Sequence, residues 1–349
     1  IGDAYYPQAG NFGYDVQSYE IDLAVDMATN TLIGTTIITA QTTATVNDIH
    51  LDFIGFTITE VLVNDAPATY SREDAELILT PDTPIPADSP LKLVISYEGT
   101  PESIQDPAIW WQTTGWLTYD DAVFIFGEPT GSMGWFPGSH HPSDKATFTF
   151  YITAPKGYVV ATNGVKISET EQGDTTLHVW EEANPMATYV TAIYIGKFEI
   201  ETTPTDLGFP IINYFTPETA TYASTAFVRV PDMIAYFSEI IGEYPFDSYG
   251  AVVVNDPIFP ALENQTLSLF GAYSVDESIA AHELAHQWFG NSVSLTQWQD
   301  IWLNEGFATY FAALWMEESQ GEEAFLTYMD ELYESLTASL TPIGDPTTA

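Results

Sequence analysis

The 349 residues exceed what one small module needs and suffice for about two domains of ordinary size. At 45% apolar and 14% aromatic, the chain is too hydrophobic for an intrinsically disordered protein, despite a formal net charge of −42. That charge sets 49 Asp+Glu against 7 Lys+Arg, and no Lys or Arg follows Arg229, so nucleic acid and anionic membrane surfaces are poor partners. No apolar run reaches the roughly 18 to 20 residues of a spanning helix. Without cysteine there are no disulfides, thiolate metal sites or thiol nucleophiles. The sequence opens at Ile1 with no charged or apolar leader, which reads as a mature or trimmed product. Export is the favoured localisation and a cytoplasmic, halophile-like acidic protein the alternative.

In chain order, Tyr19, Ile21, Leu23 and Val25 alternate with Glu20, Asp22 and Ala24, the period of a half-buried strand. Met27 to Asn30 is a turn, and Thr31 to Thr43 completes a hairpin. Similar short runs follow to about Glu201, among them Leu93 to Tyr97, Ala146 to Ile152 and Ala187 to Tyr194, so this half is expected to be mainly antiparallel β. Thr202 to Pro210 holds two prolines and Gly208 and marks the boundary, giving domains 1–203 and 204–349. Beyond it Met233, Ile234, Phe237, Ile240 and Ile241 recur at helical spacing. Ser278 to Phe289, Trp302 to Trp315 and Glu322 to Leu336 also read as helices, around one or two strands such as Ala251 to Asn255. The fold class is α+β.

The informative string is His282-Glu283-Leu284-Ala285-His286, because residues four apart on a helix share a face and both imidazoles can reach one ion. A hydrolytic zinc site takes three protein ligands and keeps one position open, so a third ligand is expected elsewhere. Glu305, nineteen residues beyond His286 in a second helical segment, fits that role. Glu283 is turned about 100° from His282, beside the open position, and is the candidate general base for amide hydrolysis. Taken alone, a pattern of five residues with two fixed residue types also recurs by chance on exposed helices.

The wider string Ala281 to Asn291, followed by Trp302-Leu303-Asn304-Glu305-Gly306, resembles the aminopeptidase N family of zinc metallopeptidases. The resemblance implies an antiparallel β, saddle-like N-terminal domain and a helix-rich, thermolysin-like catalytic domain holding one Zn2+. Pro260-Ala261-Leu262-Glu263-Asn264 looks like the family's Gly-Ala-Met-Glu-Asn motif, which implies that Glu263 holds the substrate's α-amine and that Ala261 touches substrate. Phe126-Gly127-Glu128-Pro129, with Trp135-Phe136-Pro137 and Asp144-Lys145, is similar to a further family segment and implies Glu128 as a second ligand for that amine. Peptides with a free N-terminus are the implied substrates, and Phe126 points to a neutral or hydrophobic first residue. Oligomeric state is not legible.

Several places depart from the family pattern. Gly138-Ser139-His140-His141 replaces the family's Cys-aromatic-Asp pattern, and His140 and His141 read as loop residues. Ala312, seven residues after Glu305, replaces a Glu that could orient a ligand histidine, so that support has to come from elsewhere. The family's oxyanion Tyr lies roughly sixty residues past the third ligand, a contribution of the kind worth about 3 to 4 kcal/mol. This sequence ends 44 residues after Glu305, and Thr341 to Pro346 resembles the stretch leading into that Tyr. The expectation is a C-terminally truncated catalytic domain, with Tyr310, Tyr328 and Tyr333 as packing or surface residues. The alternatives are a thermolysin-like endopeptidase and a zinc-binding fragment of impaired activity.

Overall fold

The computed structural model describes residues 2–339 and divides into two compact units, Pro7–Phe198 and Glu199 onward, with Asp3–Tyr6 joining the second. The division falls between Phe198 and Glu199, not at 203, because strand Glu199–Thr203 pairs with Ile211–Phe215 of the second unit. The stretch Thr341 to Pro346 lies outside the described residues.

In the first unit an eight-stranded sheet is built around strand Tyr14–Asp26. Tyr19, Ile21, Leu23 and Val25 are buried, as their alternation requires, and so are Tyr14 and Val16. A register shift between Val16 and Ser18 absorbs the odd residue that would otherwise turn one set outward. Thr31–Thr42 pairs with this strand on one side and Ala146–Pro155 on the other. The latter pairing is parallel, so the sheet is mixed where sequence periodicity implied only antiparallel neighbours. Ala187 to Tyr194 is not one strand: Thr188–Val190 forms a 3-10 turn, and only Ile193–Gly196 extends, within a four-stranded sheet with Ala122–Phe126. A three-stranded sheet of Ile49–Asp52, Glu76–Thr80 and Thr69–Glu73 completes the unit.

The second unit holds more strand than its helical periodicity suggests. A five-stranded sheet contains Gly250–Val253 between Ile211–Phe215 and Leu267–Phe270, both parallel to it, with Ala261–Leu262 antiparallel on the outer side of Leu267–Phe270. Its helices are α1 (Ala220–Phe227), α2 (Val230–Ile240), α3 (Glu277–Ala285), α4 (Ile301–Gln320) and α5 (Glu322–Ser339). The buried strand residues are continuous apolar runs, as expected where both faces of a parallel sheet are covered. Phe237, Leu284, Trp288, Ala308 and Trp315 join the same core, so α2, α3 and α4 share one packed layer. Arg229, the last basic residue, lies over the Trp315 ring at 4.6 Å and contacts Glu277 at 3.3 Å. The Trp315 indole N–H also donates to Glu277, at 2.9 Å, which ties the start of α3 to α4.

Candidate metal centre and active site

Helix α3 begins at Asp276, whose carboxylate accepts from the amides of Ser278 (2.8 Å) and Ile279 (3.0 Å). It ends at Ala285 rather than running on to Phe289, with His286 as its C-cap. His282 and His286 nevertheless share one face, and their Nε2 atoms stand 3.0 Å apart. From α4, Glu305 brings Oε2 to 3.4 Å from His282 Nε2 and Oε1 to 3.7 Å from His286 Nε2. Tetrahedral zinc with N and O ligands at 2.0–2.2 Å spaces those atoms by about 3.4 Å, and one ligand atom from each of His282, His286 and Glu305 lies within 4.8 Å of the others. The donor chemistry, two imidazoles and one carboxylate, fits the ion equally well.

The groups behind the ligands set their protonation. His286 Nδ1 lies 3.0 Å from the Phe289 carbonyl, a partner that can only accept, so Nδ1 carries the proton and Nε2 keeps its lone pair for the metal. Thr309 Oγ1 stands 3.5 Å from His282 Nδ1. These two groups supply the support that the buried Ala312 cannot. Burial lowers the pKa of His282 and favours the neutral imidazole that a metal requires. At Glu305 burial acts to raise the pKa, but the hydrogen bond from His282 and the neighbouring imidazoles outweigh it and hold the carboxyl below its ordinary value.

Glu283 is buried on the same helix and close enough to His286 and Glu263 for one oxygen or nitrogen of each to lie within 4.8 Å of the others. Glu263 leaves the strand Ala261–Leu262 and is 3% exposed. Its segment is pinned to the exit of α3. Asn291 Nδ2 donates to the Glu263 carbonyl at 2.7 Å, and Gln287 Oε1 accepts from the Thr266 amide at 2.8 Å. In the sequence Gln287 and Asn291 stand only within the string Ala281 to Asn291, and the signal for their role is two amide side chains that follow directly on the paired histidines. Gly290, between them, has φ +129°, and a Cβ there would stand 3.3 Å from His286 Nδ1. Phe289 stacks on Phe307 (4.7 Å) and Phe311 (5.1 Å), which couples the segment beyond His286 to the helix carrying Glu305.

A cavity of about 280 Å3 adjoins the site, lined in part by Pro260, Ala261, Ser278, His282, Glu283 and Tyr328. Tyr328 lines this cavity together with His282 and Glu283, while Tyr310 and Tyr333 are exposed. Glu128 belongs to the first unit, directly after strand Ala122–Phe126, partly buried and joined to Pro129 by a cis peptide bond. His140 and His141 are buried in the same unit. His140 Nε2 lies 3.0 Å from the Phe136 carbonyl and His141 Nδ1 2.7 Å from Ser143 Oγ, and neither joins a metal-type cluster among the described residues.

Two histidines one helical turn apart, a glutamate from a second helix and a further glutamate between the histidines define a helical metal centre of the hydrolytic kind. The chain belongs to peptidase family M1: residues 16–190 match the peptidase M1 N-terminal domain and residues 226–342 the peptidase family M1 domain. Glutamyl aminopeptidase of Sus scrofa is 33% identical over 214 residues, covering 56% of this chain and 22% of that protein. The Homo sapiens glutamyl aminopeptidase is 33% identical over 212 residues, covering 55% and 22%. The match thus spans about a fifth of the length of these curated relatives. Among solved structures, a mutant M1 zinc metallopeptidase from Deinococcus radiodurans bound to a Tyr-Ser-Ala substrate superposes with a TM-score of 0.90 at 29% identity, covering 99% of this chain and 80% of that one. Among the described residues no helix is long and apolar enough to cross a membrane.

Proposed function

We propose that this protein is a zinc-dependent aminopeptidase that removes the N-terminal residue from peptides, with His282, His286 and Glu305 holding the single ion. When bound, zinc supplies Lewis-acid polarisation of a carbonyl and brings the pKa of water towards about 7. Glu283 takes the proton of the attacking water and returns it to the leaving amine, a general base and then a general acid on one side chain. Its burial on α3 beside both ligand histidines holds it in place for both transfers. Glu263 binds the substrate's ammonium through a charge-assisted hydrogen bond, and its pinned backbone measures off one residue from the reacting carbonyl. The resemblance assigns Glu128 to the same ammonium and Ala261 to the substrate, and Ala261 lies on the wall of the adjoining cavity.

The observation that carries this reading is the convergence of Glu263 and Glu283 on His286. A metal centre that cleaved chains internally would have no use for a second buried carboxylate so close to its base. The test is hydrolysis of aminoacyl arylamides and of matched free and N-acetylated peptides by the zinc-loaded protein, with Glu283→Gln and Glu263→Gln beside it. Expected results are turnover abolished by Glu283→Gln, free peptides strongly preferred, and that preference eroded by Glu263→Gln. Equal cleavage of acetylated peptides would make the protein an endopeptidase. Bound zinc without turnover would overturn the enzymatic reading for this chain.

A further inference from the structure

The cavity beside the metal centre lies to one side of it. On α3 its walls are His282 and Glu283 and, one turn earlier, Ser278 and Ile279, so it follows one helical face for about 6 Å toward the N-terminus. Glu263 meets the later end of the helix, where one ligand-type atom each of Glu263, Glu283 and His286 lie within 4.8 Å of one another. The facing strand repeats this order. Pro260 and Ala261 wall the cavity, and Glu263 follows two residues, or about 6.6 Å, further along the chain. Both elements therefore put Glu263 on one side of His282 and Glu283 and the cavity on the other. Its volume of about 280 Å3 falls just below the roughly 300–1,000 Å3 that take a whole small ligand, and is the size for one side chain.

What the cavity offers a side chain is an aromatic ring in acidic surroundings. Tyr328 of α5 forms one wall and is half-buried; burial raises its pKa, and the charges of Asp276 and Glu331 push it the same way. Asp276 stands directly behind Ser278, whose hydroxyl donates to its Oδ1 at 2.7 Å, beside the amides of Ser278 and Ile279. The positive end of the α3 dipole is thus already met by Asp276 and Glu277 and holds out nothing to an anion. No Lys or Arg lies on α3, on α5 or in residues 256–276. Arg229, the only Lys or Arg of the second unit, is engaged by the Trp315 ring and Glu277. We infer that this cavity receives the side chain of the substrate's second residue, with Tyr328 as the specificity-determining wall, and that a basic second residue is preferred and an acidic one rejected. The apolar stem of a Lys or Arg lies along the Tyr328 ring, and its cation meets the ring face and Asp276. The inference rests on the function proposed above, because Glu263 must hold the amine of the first residue for the second to fall on the cavity side.

The test measures kcat/KM for the free peptides Leu-Lys-Gly, Leu-Gly-Lys, Leu-Ala-Gly and Leu-Glu-Gly with the zinc-loaded protein and its Tyr328→Ala, Tyr328→Phe and Asp276→Asn variants. Leucyl arylamide, which has no second side chain, is run beside them. In parallel, calorimetry follows binding of the same peptides in a Glu283→Gln background. Leu-Lys-Gly should exceed Leu-Ala-Gly and Leu-Gly-Lys about tenfold, with Leu-Glu-Gly the poorest. Tyr328→Ala should remove most of that preference and Tyr328→Phe, which keeps the ring, should retain it. Asp276→Asn keeps the helix cap and should reduce the preference about threefold. Equal cleavage of Leu-Lys-Gly and Leu-Gly-Lys would assign any preference for cations to the overall negative field. That result, or a ratio unmoved by Tyr328→Ala, would overturn the inference, while turnover of leucyl arylamide would leave the aminopeptidase standing. No turnover, but a binding preference for Leu-Lys-Gly that Tyr328→Ala removes, would overturn the activity and keep the cavity's assignment. Neither turnover nor a binding preference would sink both.

Discussion

Replacing Gly290 by Ala tests whether the backbone behind His286 sets the metal affinity. Gly290 has φ +129°, and an added Cβ would lie 3.2 Å from Asn304 Nδ2 and 3.3 Å from His286 Nδ1. The backbone conformation alone costs an L-residue about 1–3 kcal/mol, because such φ values are nearly confined to glycine. The His286 ring is 1% exposed and has little room to retreat, so relief comes through a tilt that stretches its 3.0 Å contact with the Phe289 carbonyl. Losing such an orienting partner lowers metal affinity by about 10- to 100-fold, or roughly 1.4 to 2.7 kcal/mol. Two results are expected. The metal-free variant should melt about 4–8 °C below the parent, taking about 2 kcal/mol of strain in a unit of this size. Titration against a chromophoric chelator should show the zinc dissociation constant rising about 10- to 100-fold. Zinc binding as tight as the parent's, whatever the melting temperature, would refute the claim that this backbone orients the ligand ring.

Asn291→Ala should act on substrate more than on zinc. It removes the 2.7 Å hydrogen bond to the Glu263 carbonyl, and a buried hydrogen bond of this kind contributes about 0.5–1.5 kcal/mol. The loosened segment should raise KM for aminoacyl arylamides while chelator competition reports unchanged zinc affinity; an unchanged KM would disconnect Asn291 from Glu263. A separate prediction concerns pH and the first unit. Burial raises the Asp52 pKa to about 7, with the amides of His140 and Gly10 opposing it. Between the ordinary value of 3.8 and about 7, the folded state therefore holds a proton that the unfolded chain has released. The Asp52 contribution to stability is thus fully present at the acid end and is lost as pH rises through that window, by at most about 1.36 kcal/mol per pH unit. Asp144, raised by burial to about 6, has the same sign. Urea unfolding of Asp52→Asn across pH 4 to 8 should show a shallower decline than the parent, and identical slopes would place the proton elsewhere.

How much of this was legible in the sequence depends on the range over which each feature is encoded. The half-buried strand Tyr14–Asp26 announced itself because alternation is a local property, and its bulge at Gln17 escaped because a register shift is visible only against a partner strand. The parallel pairing of Tyr14–Asp26 with Ala146–Pro155 lay beyond periodicity for the same reason: it joins segments over a hundred residues apart. Helix α3 was overrun by four residues because Gln287, Trp288 and Phe289 are tolerable helix formers. Tertiary contacts draw them out of the helix, with the Trp288 indole reaching the Gly242 carbonyl at 2.9 Å and Phe289 stacking on Phe307 and Phe311. At the metal centre, side-chain ligands four residues apart are a pattern that sequence exposes, and the structure converges His282, His286 and Glu305 as that spacing requires. What orients His286 is backbone: the Phe289 carbonyl and the φ of Gly290. A carbonyl leaves no signature in residue identity, so the ligands of such a site can be read from sequence while their supports must be seen. The missing Glu at Ala312 shows the consequence. Judged by side chains alone the site looks weakened, whereas the Phe289 carbonyl and the Thr309 hydroxyl occupy the positions from which a ligand histidine is steered.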